Sequence, residues 1–390
     1  MARRSPCRHS GPMTDNVALW LPKARAPFAI GPAPLPQAGA DQIVVRSRAI
    51  AVNPFERMVQ AIGGIITPWL SYPLVLGSDV AGDVVMVGPN VSDFSVGDRV
   101  FGFAAGQVQS RNSSAEGAFQ KYVVLLNRLA AHIPADMSYE QAAVMPLALM
   151  TAASCLFQKN HLALSPPAVG TKPTGRSVVI WGGSSSVGCH AIQLAVAAGY
   201  DVVATASPRN FAYLKKLGAR RVFDYRDPAV ARLISEDLSG RLLAGAVSIG
   251  KGSARGCIKV LGRCTGDRAL VTVTPATSFD DVPPGAGRWA KLTPAFATLL
   301  VGGARRKWLA RRFKVKMTHV WAGDPVDNGI GAMIFRQFLP AAFRAGKYVA
   351  APDPAIVGAK LSSIPDALER QRQGVSLKKM VVLISGASGD

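Results

Sequence analysis

Acidic residues are scarce in this chain. Over 390 residues, 24 Asp and Glu stand against 45 Lys and Arg, a net charge of +21. Such a surface attracts polyanions, but charge alone does not fix a fold. Cysteine is also scarce. Cys7, Cys155, Cys189, Cys257 and Cys264 are scattered with no C-x-x-C pair, which argues against a disulfide framework and predicts free thiols in an intracellular, cytoplasmic protein. The longest apolar run, Val144 to Phe157, is interrupted by Pro146 and falls short of the roughly 20 residues that cross a bilayer. His132, His161, His190 and His319 lie far apart, as surface or helix-face residues do, and suggest no metal site. No nucleophile triad and no paired-carboxylate site stands out.

What is present is a globular chain with 49% hydrophobic and 18% charged residues, long enough for about two domains. Residues 1 to 12, MARRSPCRHSGP, read as a disordered extension ahead of Met13. From Asn16 to about Tyr139 short apolar runs are separated by Gly, Pro and Asp turns: Val17 to Leu21, Gln42 to Val52, Val80 to Val87, Arg99 to Phe103 and Phe119 to Leu126. Residues 105 to 117 read as a polar loop, and Ser138 opens a helix with Gln141 at the capping-box position. From about 150 to 340 strands alternate with helices, the pattern of a parallel doubly wound sheet. The tail carries a helix, Ile330 to Ala345, and a last strand, Lys379 to Ser385.

The stretch WGGSSSVGCHAIQLAVAAG, residues 181 to 199, organises this second half. An apolar strand, Arg176 to Trp181, leads into a Gly/Ser turn and then a helical apolar pattern from Val187 to Ala198. A second strand, Asp201 to Ala206, follows Gly199 directly. Strand, turn, helix and strand within about thirty residues are the βαβ unit that cradles a dinucleotide. Gly183, Ser185 and Gly188 hold the G-x-G-x-x-G positions, with serine in place of the middle glycine. Ser184, Ser186 and Val187 complete the turn that would aim backbone N–H groups at a pyrophosphate.

Further motifs join these: AVNPFERMVQ (51–60), LGSDVAGDVVMVGPNVSDFSVGDRVFG (76–102), EGAFQKYVV (116–124), ALMTAASCLFQ (148–158), KKLGARRVFDYRDP (215–228) and RQGVSLKKMVV (372–382). In this order they make the chain resemble the medium-chain dehydrogenase/reductase superfamily, in the branch of zinc-free quinone oxidoreductases and fungal trans-acting enoyl reductases. The resemblance covers nearly everything from Met13 to Ile384. It implies a GroES-like β-barrel, residues 13–150 completed by 341–390, around a Rossmann domain at 151–340.

Zinc-binding members of that superfamily carry Cys where Asn53 stands and a His-Glu pair where Ser78 and Asp79 stand, so the resemblance implies a zinc-free protein. Asp79 and Asp98 read as braces of barrel turns. At the end of the second Rossmann strand an NAD enzyme usually presents an acid. Here stand Ser207 and Arg209, with Lys215 further along, which favours the 2′-phosphate of NADPH. The resemblance adds Tyr225, Ile249, Gly250 and Val273 along the cofactor. It nominates Asn53 as hydrogen-bond donor to a substrate oxygen, Glu56 beside it, and Thr151 at the opening of the helix that enters the Rossmann domain. Met58 replaces a lysine that fungal relatives offer as proton donor, so water is expected to protonate the product.

The activity so implied is NADPH-dependent reduction of an enone or enoyl thioester, or of a quinone. A rival class is an NADPH-fold protein that uses its basic surface for nucleic acid, but no aromatic-interleaved motif supports it. An acidic carrier protein is an expected partner, and monomer and homodimer both stay open. The segment ARRKWLARRFKVK, residues 304–316, is expected to be an exposed basic patch held down by Trp308, Leu309 and Phe313.

Overall fold

The computed structural model describes residues 15–274, 302–321 and 323–385; the extension at 1–12 and Cys7 lie outside the described residues. The chain divides into two compact units, the first made of Met1–Pro146, Pro354–Gly374 and Lys379–Asp390, the second of Leu147–Asp353 and Val375–Lys378. Residues 341–353, expected with the barrel, stay with the second unit. There Tyr348 stacks on His190 with its hydroxyl 2.7 Å from Nδ1, and the Val349 N–H donates to Gln193 at 3.0 Å.

The first unit is built from strands. β1 (Asn16–Leu21), β3 (Gln42–Ala51), β5 (Asp79–Val87), β6 (Arg99–Phe103) and β7 (Tyr122–Leu126) follow the apolar runs, and the short β2 (Ala29–Ala33), β4 (Leu74–Val75) and β8 (Ala130–His132) lie outside them. β3 pairs antiparallel with both β5 and β7, and β1 lies between β2 and β4 in a small sheet. Leu19, Val45, Ile50, Val80, Phe119 and Leu125 fill the core these sheets enclose. One element departs from the strand-only reading: α1 (Pro54–Ile66). Asn53 caps it, Pro54 opens it and Glu56 lies in its first turn, while Val59, Ile62 and Gly63 form its buried stripe. Its start is thus fixed by capping chemistry inside a region dominated by strand signals.

Two helices follow β8 in the chain, α2 (Tyr139–Ala143) in the first unit and α3 (Pro146–Phe157), nearly all of it in the second. Ser138 and Gln141 form the expected capping box. Together the 19 residues Tyr139–Phe157 are apolar enough to cross a membrane, but 89% of the stretch is buried within the protein.

The second unit holds a six-stranded parallel sheet. Its members are β9 (Arg176–Trp181), β10 (Asp201–Ala206), β11 (Arg221–Asp224), β12 (Leu242–Ser248), β13 (Ala269–Thr272) and β14 (Lys316–His319), in the order β11-β10-β9-β12-β13-β14. Val178, Val179 and Ile180 of β9 are wholly buried, as a central parallel strand covered on both faces requires. α4 (Ser186–Ala197) and α5 (Phe211–Lys216) connect the first three strands. α6 (Val230–Asp237), α7 (Ser253–Arg263) and α8 (302–312) precede β12, β13 and β14. Ala254, Cys257, Ile258 and Leu261 of α7 share one core with Val230 and Ile234 of α6 and with Ala310 of α8, the i, i+3, i+4 stripe of helices laid on a sheet. Further on, α9 (Ile330–Ala332) passes through a π-helical stretch, Met333–Phe338, into α10 (Leu339–Arg344). The tail adds β15 (Asp353–Gly358), α11 (Ile364–Arg372) and β16 (Lys378–Leu383), and β16 pairs with β3 of the first unit's sheet.

Candidate functional site

The sheet of the second unit reverses its winding between β9 and β12. In such sheets the ligand crevice lies at the carboxyl ends of the two strands flanking that switch. At the end of β9 the chain turns through Gly182, whose φ of 89° is open to glycine. The Gly182 N–H donates to Thr205 Oγ1 at 3.1 Å and the Gly183 N–H to the Thr205 carbonyl at 2.9 Å. Ser185 is the N-cap of α4. Its Oγ accepts from the Gly188 N–H at 3.0 Å and donates to the Gly182 carbonyl at 2.8 Å. The serine that replaces the middle glycine therefore spends its hydroxyl on holding the turn. A Cβ on Gly188 would stand 2.3 Å from the Gly182 carbonyl oxygen, so only glycine lets the helix start this close to the strand. Ser186 and Val187, the first helical residues, keep N–H groups that no turn of the helix can use, which leaves them for an anion.

Opposite this turn, the Ile249 N–H donates to the Trp181 carbonyl at 2.9 Å, and the Gly250 N–H donates to Thr274 Oγ1 at 2.9 Å. The Val273 N–H bonds the Ser248 carbonyl at 3.0 Å. Gly183 to Gly188, Ile249, Gly250 and Val273 thus share one sheet edge. β10 ends there too, and Ser207 and the exposed Arg209 follow it. In register with Ala206 stands Asp224, an acid at this edge that sequence spacing did not single out. Its carboxylate accepts from Arg226 N, Nε and Nη2 at 3.0 to 3.1 Å, and these bonds hold its pKa below the usual carboxylate range. Tyr225, 47% exposed, lies between them in the chain with the Arg226 guanidinium 5.9 Å from its ring. Lys215 lies in the last turn of α5 and, with Pro208, Arg221, Phe223 and Asp224, lines a hollow of about 290 Å³.

Thr151 does not open its helix. α3 begins at Pro146, and Thr151 lies within it, buried, its Oγ1 donating to the Leu147 carbonyl at 2.8 Å. The proline at the helix start, rather than the threonine, sets the boundary.

In the first unit the Asn53 side chain sits inside a network of buried charge. Its Nδ2 donates to Asp79 Oδ2 at 2.7 Å and to Glu56 Oε1 at 3.2 Å, and its backbone N–H donates to Glu56 Oε2 at 2.7 Å. The Lys379 ammonium donates to Asp79 Oδ2 at 2.6 Å and to the Val144 carbonyl at 3.1 Å. Asp79 and Glu56 are fully buried and Lys379 is 4% exposed. Two readings change here. Both amide protons of Asn53 are taken by carboxylates, so in this arrangement none is left for a substrate oxygen. Asp79, expected to brace a turn, is the centre of the network, whereas Asp98 does brace one by accepting from the Ser95 N–H at 2.8 Å. Burial, and then the Asp79 charge, push the Glu56 carboxyl up to about 7, against hydrogen bonds from Asn53 that pull it down. Arg57 points away, its Nη1 3.5 Å from Glu369.

This donor set does not fit a metal ion. The Asn53 nitrogen carries protons and no free lone pair, Ser78 Oγ is turned to Gln107 Oε1 at 3.2 Å, and the Lys379 charge already sits on Asp79. Lys379 is the residue the sequence reading missed. Its motif, RQGVSLKKMVV, read as strand, and nothing local marks one of its lysines as buried.

Residues 39–135 match the model of the alcohol dehydrogenase GroES-like domain. The dehydrogenase pigH of Monascus ruber is 47% identical over 373 residues, covering 95% of this chain and all of that one. The trans-enoyl reductase himH of Aspergillus japonicus is 36% identical, covering 95% of this chain and 98% of its own. A mycobacterial protein solved with NADPH superposes with a TM-score of 0.64 at 22% identity, covering 94% of this chain and 99% of its own. The chain belongs to the medium-chain dehydrogenase/reductase superfamily. Within that family it is an oxidoreductase with fungal dehydrogenase and trans-enoyl reductase homologues.

Proposed function

We propose that the chain reduces activated C=C bonds of enones or enoyl thioesters, using NADPH and no metal. The observation that carries this reading is the buried set Asn53, Glu56, Asp79 and Lys379, which fills the position of the superfamily's metal ligands with hydrogen bonds of its own. An unactivated alcohol or ketone needs a Lewis acid at that position. A conjugated acceptor does not, because the charge that develops spreads to a distal oxygen and hydrogen-bond donors suffice.

NADPH, when bound, supplies the hydride that adds to the β-carbon. The chain's own part is placement. Ser186 and Val187 offer N–H groups to the pyrophosphate, Gly183 and Gly188 let the backbone approach it, and Ile249, Gly250 and Val273 border the same crevice. Arg209 meets the 2′-phosphate, and Arg226 neutralises the acid that would repel it. Met58 has no proton to give, so the enolate takes its proton from water. Glu56 acts beneath Asn53 as a positioning group, since it is buried and bonded to Asn53 through both oxygens.

The test is NADPH oxidation measured over a panel of enones, enoyl thioesters and quinones, with and without chelator. Enones and enoyl thioesters should turn over fastest and chelator should change nothing. Preference for quinones would move the reading to a quinone oxidoreductase. No oxidation with any acceptor, combined with salt-dependent RNA retention, would move it to a binding protein.

A further inference from the structure

α7 and α8 precede the neighbouring parallel strands β13 and β14 and pack into one core on the same side of the sheet. They approach closely at their ends, where a Cβ on Gly262 would stand 2.1 Å from the Phe313 ring. Phe313 and Leu309 do hold α8 down as expected, but Trp308 does not. It is 66% exposed, because Leu309 and Ala310 take the inward positions of that turn and turn Trp308 outward.

The outer side of this helix pair is strongly basic. Lys251, Arg255, Lys259 and Arg263 recur every four residues, a single stripe leading along α7. Arg305, Lys307, Arg311 and Arg312 surround Trp308 on α8. Lys259 is half-buried and the other seven are exposed. Among the described residues none of these cations has a salt bridge or a side-chain hydrogen bond. By contrast the cations of α6 and β11 are paired, Arg232 with Glu236 and Arg220 and Arg221 with Asp237. So much unpaired charge packed together is self-repelling and gains from an acidic counterpart.

We propose that the α7–α8 face is the docking surface for an acidic carrier domain, with Trp308 as its apolar anchor. This rests on the enoyl thioester reading of the activity. An aromatic anchor ringed by arginines is the make-up of a protein–protein hot spot. A bilayer would need a broad apolar face, and the apolar side of α8 is turned into the core. Single-stranded nucleic acid stacks on several interleaved aromatics, and among the described residues this face offers one. The position also suits delivery. The stripe starts at Lys251, directly after Gly250, so a carrier docked along α7 stands at the sheet edge that holds the cofactor cradle.

The experiment compares the full chain with a variant carrying Trp308→Ala, Arg305→Gln, Arg311→Gln and Arg312→Gln. Each is assayed on one enoyl group presented two ways, on the phosphopantetheine of an isolated acyl-carrier domain and on N-acetylcysteamine. At low salt the variant should raise KM for the carrier-bound substrate about tenfold or more, with kcat/KM on the small thioester unchanged. Binding of both proteins to the substrate-free carrier domain is measured alongside by calorimetry. Unchanged KM and binding would overturn the proposal. So would an equal loss on both substrates, or a variant whose only lost binding is to anionic phosphatidylserine vesicles or to RNA. If neither thioester is reduced, the proposed activity fails, and the calorimetry alone decides the docking face.

Discussion

The two units make their contributions from different materials. The cradle of the second unit is mostly backbone: glycines 182, 183 and 188, a capping serine, and N–H groups at a helix start. The network of the first unit is held mostly by side chains, and Lys379 reaches Asp79 across 300 residues of sequence. A backbone site tolerates changes of chemistry and fails on added volume. A side-chain site fails on a change of charge. Separate substitutions in each unit sharpen that contrast.

The largest effect is expected at Lys379. Lys379→Met takes the ammonium from Asp79, which stays fully buried beside Glu56, and breaking a buried pair in this way costs roughly 3–5 kcal/mol. Urea unfolding measures it, and the double variant with Asp79→Asn should recover most of the loss. A cost below about 1 kcal/mol would mean that Asp79 does not depend on the ammonium.

Glu56 comes next. Its carboxyl is raised from 4.5 to about 7 in the fold, so between these values the folded chain binds more protons than the unfolded one. Stability attributable to Glu56 therefore falls as pH rises. Nothing is lost below 4.5, and the loss, on the order of 3 kcal/mol, is complete above 7. Glu56→Gln has no such titration. The stability of wild type relative to Glu56→Gln should decline across that window, and a flat difference would remove the raised carboxyl.

In the second unit, Gly188→Ala places a Cβ against the Gly182 carbonyl and must push α4 off the strand. NADPH binding should weaken about a hundredfold, roughly 2.7 kcal/mol, as read by fluorescence titration, with the Glu56 pH profile unaffected. Retained binding would show that the cradle can give.

The same contrast explains what the sequence disclosed. Local signals were legible: the glycine turn, the Ser138 capping box, the strand alternation and the family motifs all survive in the structure, because each depends on neighbours within a few residues. α1 was missed inside a strand-rich region although Asn53, Pro54 and Glu56 carry its start signals. The partners of Asn53 and Asp79 were not legible at all, since they depend on a lysine brought back by the final strand. Trp308 was misplaced for a related reason. A stripe at i, i+1 and i+5 has two candidate inward directions, and only the packing of Leu309 and Phe313 against α7 decides between them.

Arg209 gives the smallest and most selective effect. It follows the end of β10, exposed, on the edge where Asp224 stands in register with Ala206 and is neutralised by Arg226. An unpaired acid there would favour the ribose hydroxyl of NADH. With the acid already engaged, Arg209 is left to meet a phosphate. Arg209→Ala should weaken NADPH by about tenfold to a hundredfold, the roughly 1.5–3 kcal/mol of one charge-assisted contact, and leave NADH nearly unchanged. Lys215→Ala, in the hollow that Pro208 and Asp224 also line, should weaken NADPH less than Arg209→Ala does and leave NADH nearly unchanged. Equal loss for both cofactors in Arg209→Ala would mean that this arginine does not read the phosphate. A loss in Lys215→Ala larger than that in Arg209→Ala would make the lysine, rather than the arginine, the principal phosphate contact.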